Sequence, residues 1–287
     1  MTSQPAQPSE TVPTCYRHAD RETWVRCQRC DRPICPDCMR DAAVGFQCPE
    51  CVAEGNKTVR QAQTVFGGRP VATPYVTWTI LGAVLVAFAA QYLTGDVVTA
   101  ELAMNVAAVA GLDQYYRMIT SAFLHFGIMH ILFNGWAIWA IGPSLERAFG
   151  HVRFAALYLL SAFGGSVMSY WFDAPNVWSA GASGAVYGLF AAIFIVGRRL
   201  RFDVRGVVVI IALNLAITFL PWLIPGVFGF RLSWTAHVGG LITGAVVSAA
   251  LAYAPRANRT LVQTVALVGV AVLLVGLTVV RTAQLAG

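Results

Sequence analysis

Seven long stretches without a charged side chain constrain this chain more than any other feature. Each stretch can hold a helix of the roughly 17–25 residues that cross a bilayer. They are bounded by Pro70 and Asp96, Arg117 and Glu146, Arg153 and Asp173, Asp173 and Arg198, Arg205 and Arg231, Arg231 and Arg256, and Arg259 and Arg281. The pattern predicts an all-α polytopic membrane protein.

The first 69 residues have a different composition from the rest. The whole chain is 57% hydrophobic and 12% charged, whereas a soluble domain carries about a quarter charged residues. Eight of the fourteen acidic residues and all seven cysteines lie within residues 1–69. A small polar domain is therefore expected to precede the membrane domain.

Basic residues are distributed unevenly over the loops. With the N-terminus inside, only Arg117, Arg231 and Arg281 lie outside, and the other loop cations, from Lys57 to Arg259, lie inside. This asymmetry predicts a cytoplasmic N-terminus, and we expect the plasma membrane as the location. The net charge of +6 is thereby explained by topology, so no nucleic-acid partner is expected. Residues 1–20 are polar and show no secretory signal.

The cysteines form pairs with a two-residue spacer. There are eight soft ligands in four pairs: Cys15 and His18, Cys27 and Cys30, Cys35 and Cys38, and Cys48 and Cys51. This number and spacing predict two structural zinc ions with tetrahedral coordination. An odd cysteine count and a cytoplasmic location argue against disulfides. We predict a disordered segment at 1–14, a zinc-binding domain at 15–55 and a linker at 56–73.

Three polar groups in the predicted spans lie at one depth. At ~1.5 Å of rise per helical residue, Ser183 lies ~22 Å, His130 ~24 Å and His237 ~28 Å above the inner charged boundary of its span. The hydrocarbon layer is roughly 30 Å thick. All three groups are therefore expected slightly below the outer surface, and polar groups inside spans are candidates for function.

Small residues follow both Ser183 and His237. Glycines four residues apart let two helices approach closely, and they occur here as Gly184 with Gly188 and Gly240 with Gly244. Packing of these faces would bring Ser183 beside His237. A serine hydroxyl needs a neighbouring base. The span of Ser183 and the span of His237 contain no Asp or Glu. The only candidate bases at that depth are His237 and His130, so the residues predict a serine–histidine dyad.

At these positions the sequence resembles the rhomboid intramembrane proteases, over roughly residues 74–255. The matching motifs are Gly181-Ala182-Ser183-Gly184, Ala236-His237-Val238-Gly239-Gly240 with Gly244, and His130-x3-Asn134. The resemblance implies that Ser183 is the nucleophile and His237 the base. It also implies that His130, Asn134 and the Ser183 N–H form an oxyanion hole, and that Tyr187 stacks on His237.

The same resemblance implies the architecture and the substrates. Residues 74–255 would form a six-helix core, and residues 256–287 an additional C-terminal transmembrane helix. The substrates would be transmembrane segments of membrane proteins, cleaved near the outer face in the lipid bilayer. Glu146-Arg147 matches a structural pair, whereas Tyr116-Arg117 departs from the Trp-Arg that the family often has in the first loop.

The cysteine domain resembles a B-box or a related cross-braced zinc finger. That resemblance implies one ion on Cys15, His18, Cys35 and Cys38, and another on Cys27, Cys30, Cys48 and Cys51. Sequential pairing is the alternative. A structural role is expected, with a cytosolic protein as a possible partner of the finger.

Competing interpretations remain for the whole chain and for single residues. The protein could be an inactive rhomboid-like client-binding protein, a zinc-finger adaptor or a proton-coupled transporter, although a transporter predicts acidic residues inside the spans. We expect His125 to be a surface or loop histidine, His151 an interfacial cation and Asn214 a helix-packing hydrogen bond. Interfacial anchors are expected at Trp178, Trp222 and Trp234.

Overall fold

The computed structural model describes residues 11–58, 62–95, 97–224 and 233–287, apart from the side chains of Thr58 and Trp222. The chain divides into two compact units, Met1–Gln61 and Ala62–Gly287. Of the segment predicted to be disordered, residues 1–10 lie outside the described residues.

The first unit is a small domain built around its cysteines. Its elements are β1 (Thr14–Cys15), β2 (His18–Glu22), β3 (Arg40–Asp41), β4 (Phe46–Gln47) and α1 (Pro49–Thr58). Strand β1 pairs antiparallel with β2, and β3 with β4. The buried core consists of six of the seven cysteines and Ile34. So few apolar side chains make a marginal core for a domain of this size, and small domains of this kind usually depend on metals or disulfides.

The second unit is helical. Its elements are α2 (Tyr75–Thr94), α3 (Val97–Leu102), β5 (Met104–Asn105), α4 (Val106–Gly111), α5 (Arg117–Thr120), α6 (Ile128–Phe149), α7 (His151–Phe172), β6 (Trp178–Ser179), α8 (Ser183–Leu200), α9 (Arg205–Leu223), α10 (Trp234–Tyr253) and α11 (Arg259–Ala286). Within the described residues, six helices are long and apolar enough to cross a membrane: α2, α6, α7, α8, α10 and α11. The prediction of an all-α polytopic membrane protein is confirmed.

The fifth predicted span corresponds to helix α9, which is apolar and extends over Arg205–Leu223. Because the side chain of Trp222 is not described, the continuous part with described side chains is Arg205–Pro221. The predicted stretch continued to Arg231, and residues 225–232 lie outside the described residues.

The second predicted span has different ends from those expected. Helix α6 begins at Ile128, because α5 and a short 3-10 helix (Ser121–Phe123) occupy the residues after Arg117. It also passes through Glu146 to Phe149. The carboxylate of Glu146 is fully buried and accepts hydrogen bonds from the N–H groups of Val76 and Thr77 at 3.0 and 2.8 Å. A charge with such partners does not have to end the helix.

The helices α7, α8 and α10 form the centre of the membrane unit. Their fully buried side chains include Leu157, Tyr158 and Leu189. The loop between α2 and α6 is fastened to this centre, since β5 pairs antiparallel with β6, which lies just before α8. Arg117 is buried in that loop and donates to the carbonyls of Ala100 and Ala103 at 2.7 and 3.0 Å.

Part of the predicted linker belongs to the membrane unit. The ring of Phe66 is buried, and its centroid lies 5.1 Å from that of Phe149. The side chain of Gln263, on α11, donates to the carbonyls of Phe66 and Leu251 at 3.0 and 2.8 Å. The bond to Phe66 holds the first residues of the second unit against its last helix, and the bond to Leu251 joins that helix to α10.

Candidate active site and metal clusters

Ser183 and His237 form a hydrogen-bonded pair inside the membrane unit. Ser183 Oγ lies 2.8 Å from His237 Nε2. His237 is 5% exposed and lies in the first turn of α10, whose N-cap is Ser233. The Ser233 side chain accepts a hydrogen bond from the Ala236 N–H at 3.2 Å, which is the bond expected of a serine cap. A serine with an imidazole at this distance has the geometry of an activated nucleophile.

The pair meets because two helix backbones nearly touch. A Cβ added to Gly240 would stand 1.9 Å from the carbonyl oxygen of Gly184, and one added to Gly244 would stand 2.3 Å from the Cα of Gly188. No side chain fits at either position. The four glycines singled out in the sequence therefore lie at the contact between α8 and α10.

The other side of the imidazole is also occupied. The Tyr187 ring stacks on the His237 ring with centroids 4.3 Å apart and 13° between the planes. Thr218 Oγ1, on α9, lies 2.8 Å from His237 Nδ1. The hydroxyl of Tyr187 lies 2.8 Å from the same Thr218 oxygen. The imidazole is thus held at both nitrogens and on one face.

The start of α8 offers free backbone N–H groups beside Ser183. Ser183 is the first residue of α8, and Val186 N–H makes the first bond of that turn, to the Ala182 carbonyl at 2.9 Å. The N–H groups of Ser183, Gly184 and Ala185 have no acceptor within the helix. Free N–H groups at a helix start are suitable donors for an anion on a carbonyl attacked by Ser183.

His130 lies next to the same turn. Gly181 has φ +145°, and a Cβ there would stand 2.8 Å from His130 Nε2 and 3.4 Å from Ser183 Oγ. Only glycine fits, because both the backbone conformation and the imidazole exclude a side chain. Asn134 is buried, and its amide donates to the His130 carbonyl at 3.1 Å. That bond uses one of the two N–H donors of the amide.

Two expectations about polar residues need correction. His125 lies in a loop, as expected, but it is 2% exposed and is not a surface histidine. Its ring packs edge-on against His130 with centroids 5.0 Å apart, and the Ala182 N–H points to its Nε2 at 3.5 Å. Asn214 makes no bond to another helix among the described residues, since its amide donates to the Ile210 carbonyl of its own helix at 2.9 Å.

The remaining expectations concern residues near the helix ends. His151 lies at the start of α7 with its side chain 34% exposed, and its Nδ1 pairs with the Glu146 carboxylate. Trp178 is 47% exposed, and Trp234 contacts the rings of Phe172 and Phe219. The side chain of Trp222 lies outside the described residues.

Sequence reasoning missed Thr218 and the role of the buried His125. Thr218 lies in a largely apolar helix and is fully buried. The only sequence signal for a role of Thr218 was its polar side chain, four residues after Asn214. The same spacing is typical of a hydroxyl that donates to a carbonyl of its own helix, so it did not single out Thr218.

Eight ligand atoms gather in two clusters in the first unit. One cluster contains Cys15, His18, Cys35 and Cys38, the other Cys27, Cys30, Cys48 and Cys51, and within each the ligand atoms lie within 4.8 Å of one another. All seven cysteines are free thiols. Both clusters could hold a metal ion, and their grouping is cross-braced rather than sequential.

The spacing inside the clusters fits a small tetrahedral ion. His18 Nδ1 lies 3.3 Å from Cys35 Sγ and 3.4 Å from Cys38 Sγ. Cys30 Sγ lies 3.8 Å from Cys48 Sγ. A tetrahedron with zinc bond lengths separates its ligands by roughly 3.4–3.8 Å.

The thiols also show why a cation suits these clusters. Burial and the neighbouring thiols raise the pKa of Cys51 to about 12. The same causes raise the pKa of Cys38 to about 11. The three thiolates of the first cluster and the four of the second repel each other within their clusters. A bound cation relieves that repulsion and releases the protons.

The fold and the site define a class: a polytopic helical membrane protein with a hydrogen-bonded serine–histidine pair. Residues 112–254 match the family model for the Rhomboid domain. The chain belongs to the rhomboid family.

Curated relatives agree with this assignment. The chain is 35% identical over 170 residues to rhomboid protease GluP of Bacillus subtilis, covering 55% of this chain and 31% of that protein. It is 36% identical over 153 residues to RHOMBOID-like protein 6, mitochondrial, of Arabidopsis thaliana, covering 51% and 47%. It is 30% identical over 174 residues to rhomboid protease GlpG of Salmonella paratyphi A, covering 59% and 60%.

The shared part is limited on both sides. The matches span between 31% and 60% of the length of these relatives. The Rhomboid match begins at residue 112 and does not include the cysteine clusters.

Proposed function

We propose that this chain is an intramembrane serine endopeptidase in which Ser183 and His237 form the catalytic dyad. The observation that carries the proposal is the 2.8 Å contact between Ser183 Oγ and His237 Nε2. Rhomboid family proteins act on transmembrane substrates within the lipid bilayer, which supports the same reaction here.

Each residue has a defined step in this reaction. His237 Nε2 takes the proton of the Ser183 hydroxyl while Ser183 Oγ attacks the scissile carbonyl. The same nitrogen then gives its proton to the leaving amine. Water hydrolyses the acyl-enzyme by the reverse proton path. Stacking by Tyr187 keeps the imidazole plane fixed through both steps.

The anion that forms on the attacked carbonyl needs donors. The Ser183 N–H, His130 and Asn134 are the proposed donors of this oxyanion hole. The first is supported by its position at the helix start, and His130 by the closeness of its Nε2 to the Gly181 turn. The second N–H of the Asn134 amide would supply the third bond.

The substrate is proposed to be a membrane-spanning segment that is cut near the outer face. The enzyme is proposed to lie in the plasma membrane with its N-terminus in the cytoplasm. A regular helix hides its carbonyls in hydrogen bonds, so the segment must be locally extended before Ser183 can attack. Small or helix-breaking residues near the outer end, with a small side chain before the cut, would permit this.

Mapping the cut in a model substrate tests the proposal. Purified protein in liposomes is given a single transmembrane segment with Gly and Pro near its outer end. Mass spectrometry of the fragments is expected to show one cut in that outer part. A matched substrate with leucine in place of the Gly and Pro should resist. Cutting in the cytosolic half, or equal cutting of both substrates, would contradict the account.

The two cysteine clusters are proposed to be structural zinc sites of a B-box-like finger. Cys15, His18, Cys35 and Cys38 would hold one ion, and the other four cysteines the second. All positions of each tetrahedron are taken by protein ligands, which is typical of structural rather than catalytic zinc. A cytosolic partner for the finger stays a prediction from the sequence.

We expect two zinc ions per chain, with a cross-braced pattern of loss. Because Cys15 and Cys38 share one cluster, replacing both by serine should leave one ion. Replacing Cys15 and Cys51 should remove both ions. Elemental analysis of the purified full-length variants measures this. If the pairing were sequential, Cys15 and Cys38 would lie in different sites, and replacing both would remove both ions. An unsubstituted protein without zinc would reject the sites altogether.

A further inference from the structure

We propose that Thr218 is a positioning residue that holds His237 in the tautomer able to act as a base. The inference rests on the proposed function of the dyad, and it concerns the nitrogen of His237 that faces away from Ser183. Thr218 Oγ1 lies 2.8 Å from that nitrogen, Nδ1. The threonine is fully buried, so no solvent competes for its hydroxyl.

The hydrogen of the Thr218 hydroxyl has a fixed destination. A threonine hydroxyl has one hydrogen to donate and two lone pairs that accept. Three groups surround the oxygen at 2.8 Å each: the Asn214 carbonyl, the Tyr187 hydroxyl and His237 Nδ1. A carbonyl oxygen only accepts, so it takes the hydrogen of Thr218. The two lone pairs remain for Tyr187 and His237.

This assignment fixes the proton on the imidazole. A nitrogen that faces a lone pair at hydrogen-bond distance must donate, so His237 Nδ1 carries the hydrogen. A neutral imidazole carries only one ring hydrogen. Nε2 is then left with a lone pair directed at Ser183 Oγ, 2.8 Å away. Only this tautomer accepts the serine proton, whereas the other would donate to the serine and block its activation.

The bond also suits the charged form. After His237 takes the serine proton, Nδ1–H still donates to the Thr218 oxygen, so no group has to turn. In serine–histidine–acid triads a carboxylate occupies the corresponding position and holds the tautomer. Here a neutral hydroxyl, itself held by Asn214 and Tyr187, occupies it. A neutral partner avoids a buried carboxylate, which is costly inside a membrane.

The first test replaces the hydroxyl while keeping the shape. Thr218→Val leaves the His237 N–H and the Tyr187 O–H without their acceptor. We expect kcat to fall about 10- to 100-fold, with KM nearly unchanged. Thr218→Ser restores the oxygen and should recover most of the rate. Thr278→Val is the matched control, because Thr278 is also buried and also bonds the carbonyl four residues earlier, at 2.9 Å on α11.

The second test reads the tautomer without any substrate. The chain has five histidines, and ¹⁵N NMR of their rings, with His237→Ala to assign the signal, separates protonated from unprotonated nitrogens. We expect Nδ1 of His237 protonated and Nε2 unprotonated, and a mixture of both tautomers in Thr218→Val. A protonated Nε2 in the unsubstituted protein would overturn the proposal. So would normal kcat in Thr218→Val beside an inactive Ser183→Ala. If no preparation cleaves substrate, the proposed function fails, and the NMR result alone decides the role of Thr218.

Discussion

Replacing Ser183 by alanine is expected to lower the turnover of a transmembrane substrate by roughly 10⁴- to 10⁶-fold, with little change in melting temperature. His237→Ala should lose about as much, because without the base the hydroxyl keeps its proton. The double variant should be no worse than either single one, since nucleophile and base act as a unit. Turnover and thermal melting are measured on the same preparations in liposomes.

Smaller losses of turnover are expected when the proposed oxyanion donors are replaced. Removing one oxyanion donor costs about a hundred- to a thousandfold in rate. His130→Ala should therefore fall between the dyad variants and the unsubstituted protein, and Asn134→Ala should be milder, because the other donors remain. Ser248→Ala is the control, as this buried serine of α10 donates to the Gly244 carbonyl at 2.6 Å and takes no part in the reaction. Undiminished turnover in a variant without Ser183 or His237 would contradict the assignment of the dyad.

Replacing Gly240 by alanine is expected to damage both stability and turnover. The new methyl group would stand 1.9 Å from the Gly184 carbonyl oxygen, so α8 and α10 must move apart. Overpacking of this kind costs about 1–3 kcal/mol, which exceeds the roughly 1 kcal/mol that alanine gains over glycine in a helix. A misplacement of ~1 Å between reacting groups costs about a hundredfold in rate.

The control for this variant is another glycine in a membrane helix. A Cβ on Gly269, in α11, meets nothing within 4 Å. Gly269→Ala should leave turnover unchanged and hold or raise the melting temperature. Equal melting temperatures and rates for the two alanine variants would mean that the close approach of α8 and α10 does not hold the site together.

The membrane architecture could be predicted because charge is so costly in a bilayer. Stretches without charge gave most helices to within a few residues. The exceptions were the starts of α6 and α8, at Ile128 and Ser183. The end of α6 also lies beyond Glu146, because hydrogen bonds from Val76 and Thr77 let a buried carboxylate lie inside the helix. Such a bond joins residues about seventy positions apart, and no local pattern records it.

The estimated depths and the small residues predicted that the helices of Ser183 and His237, α8 and α10, pack together at the site. They could not reveal which groups complete it. Thr218 lies on a third helix and has no motif around it. His125 was misjudged because a histidine in a loop is usually exposed, and here the loop folds back under the Ser183 turn. Tertiary packing decided both cases.

Labelling with a serine-reactive fluorophosphonate tests the central claim most directly. Such a probe forms a covalent bond with a serine whose proton a neighbouring base removes, and mass spectrometry then locates the modified residue. We predict a single adduct on Ser183 in the unsubstituted protein, loss of substrate cleavage in proportion to labelling, and no adduct in His237→Ala. Full cleavage activity in protein whose Ser183 stays unlabelled while the adduct lies on another residue would contradict the account.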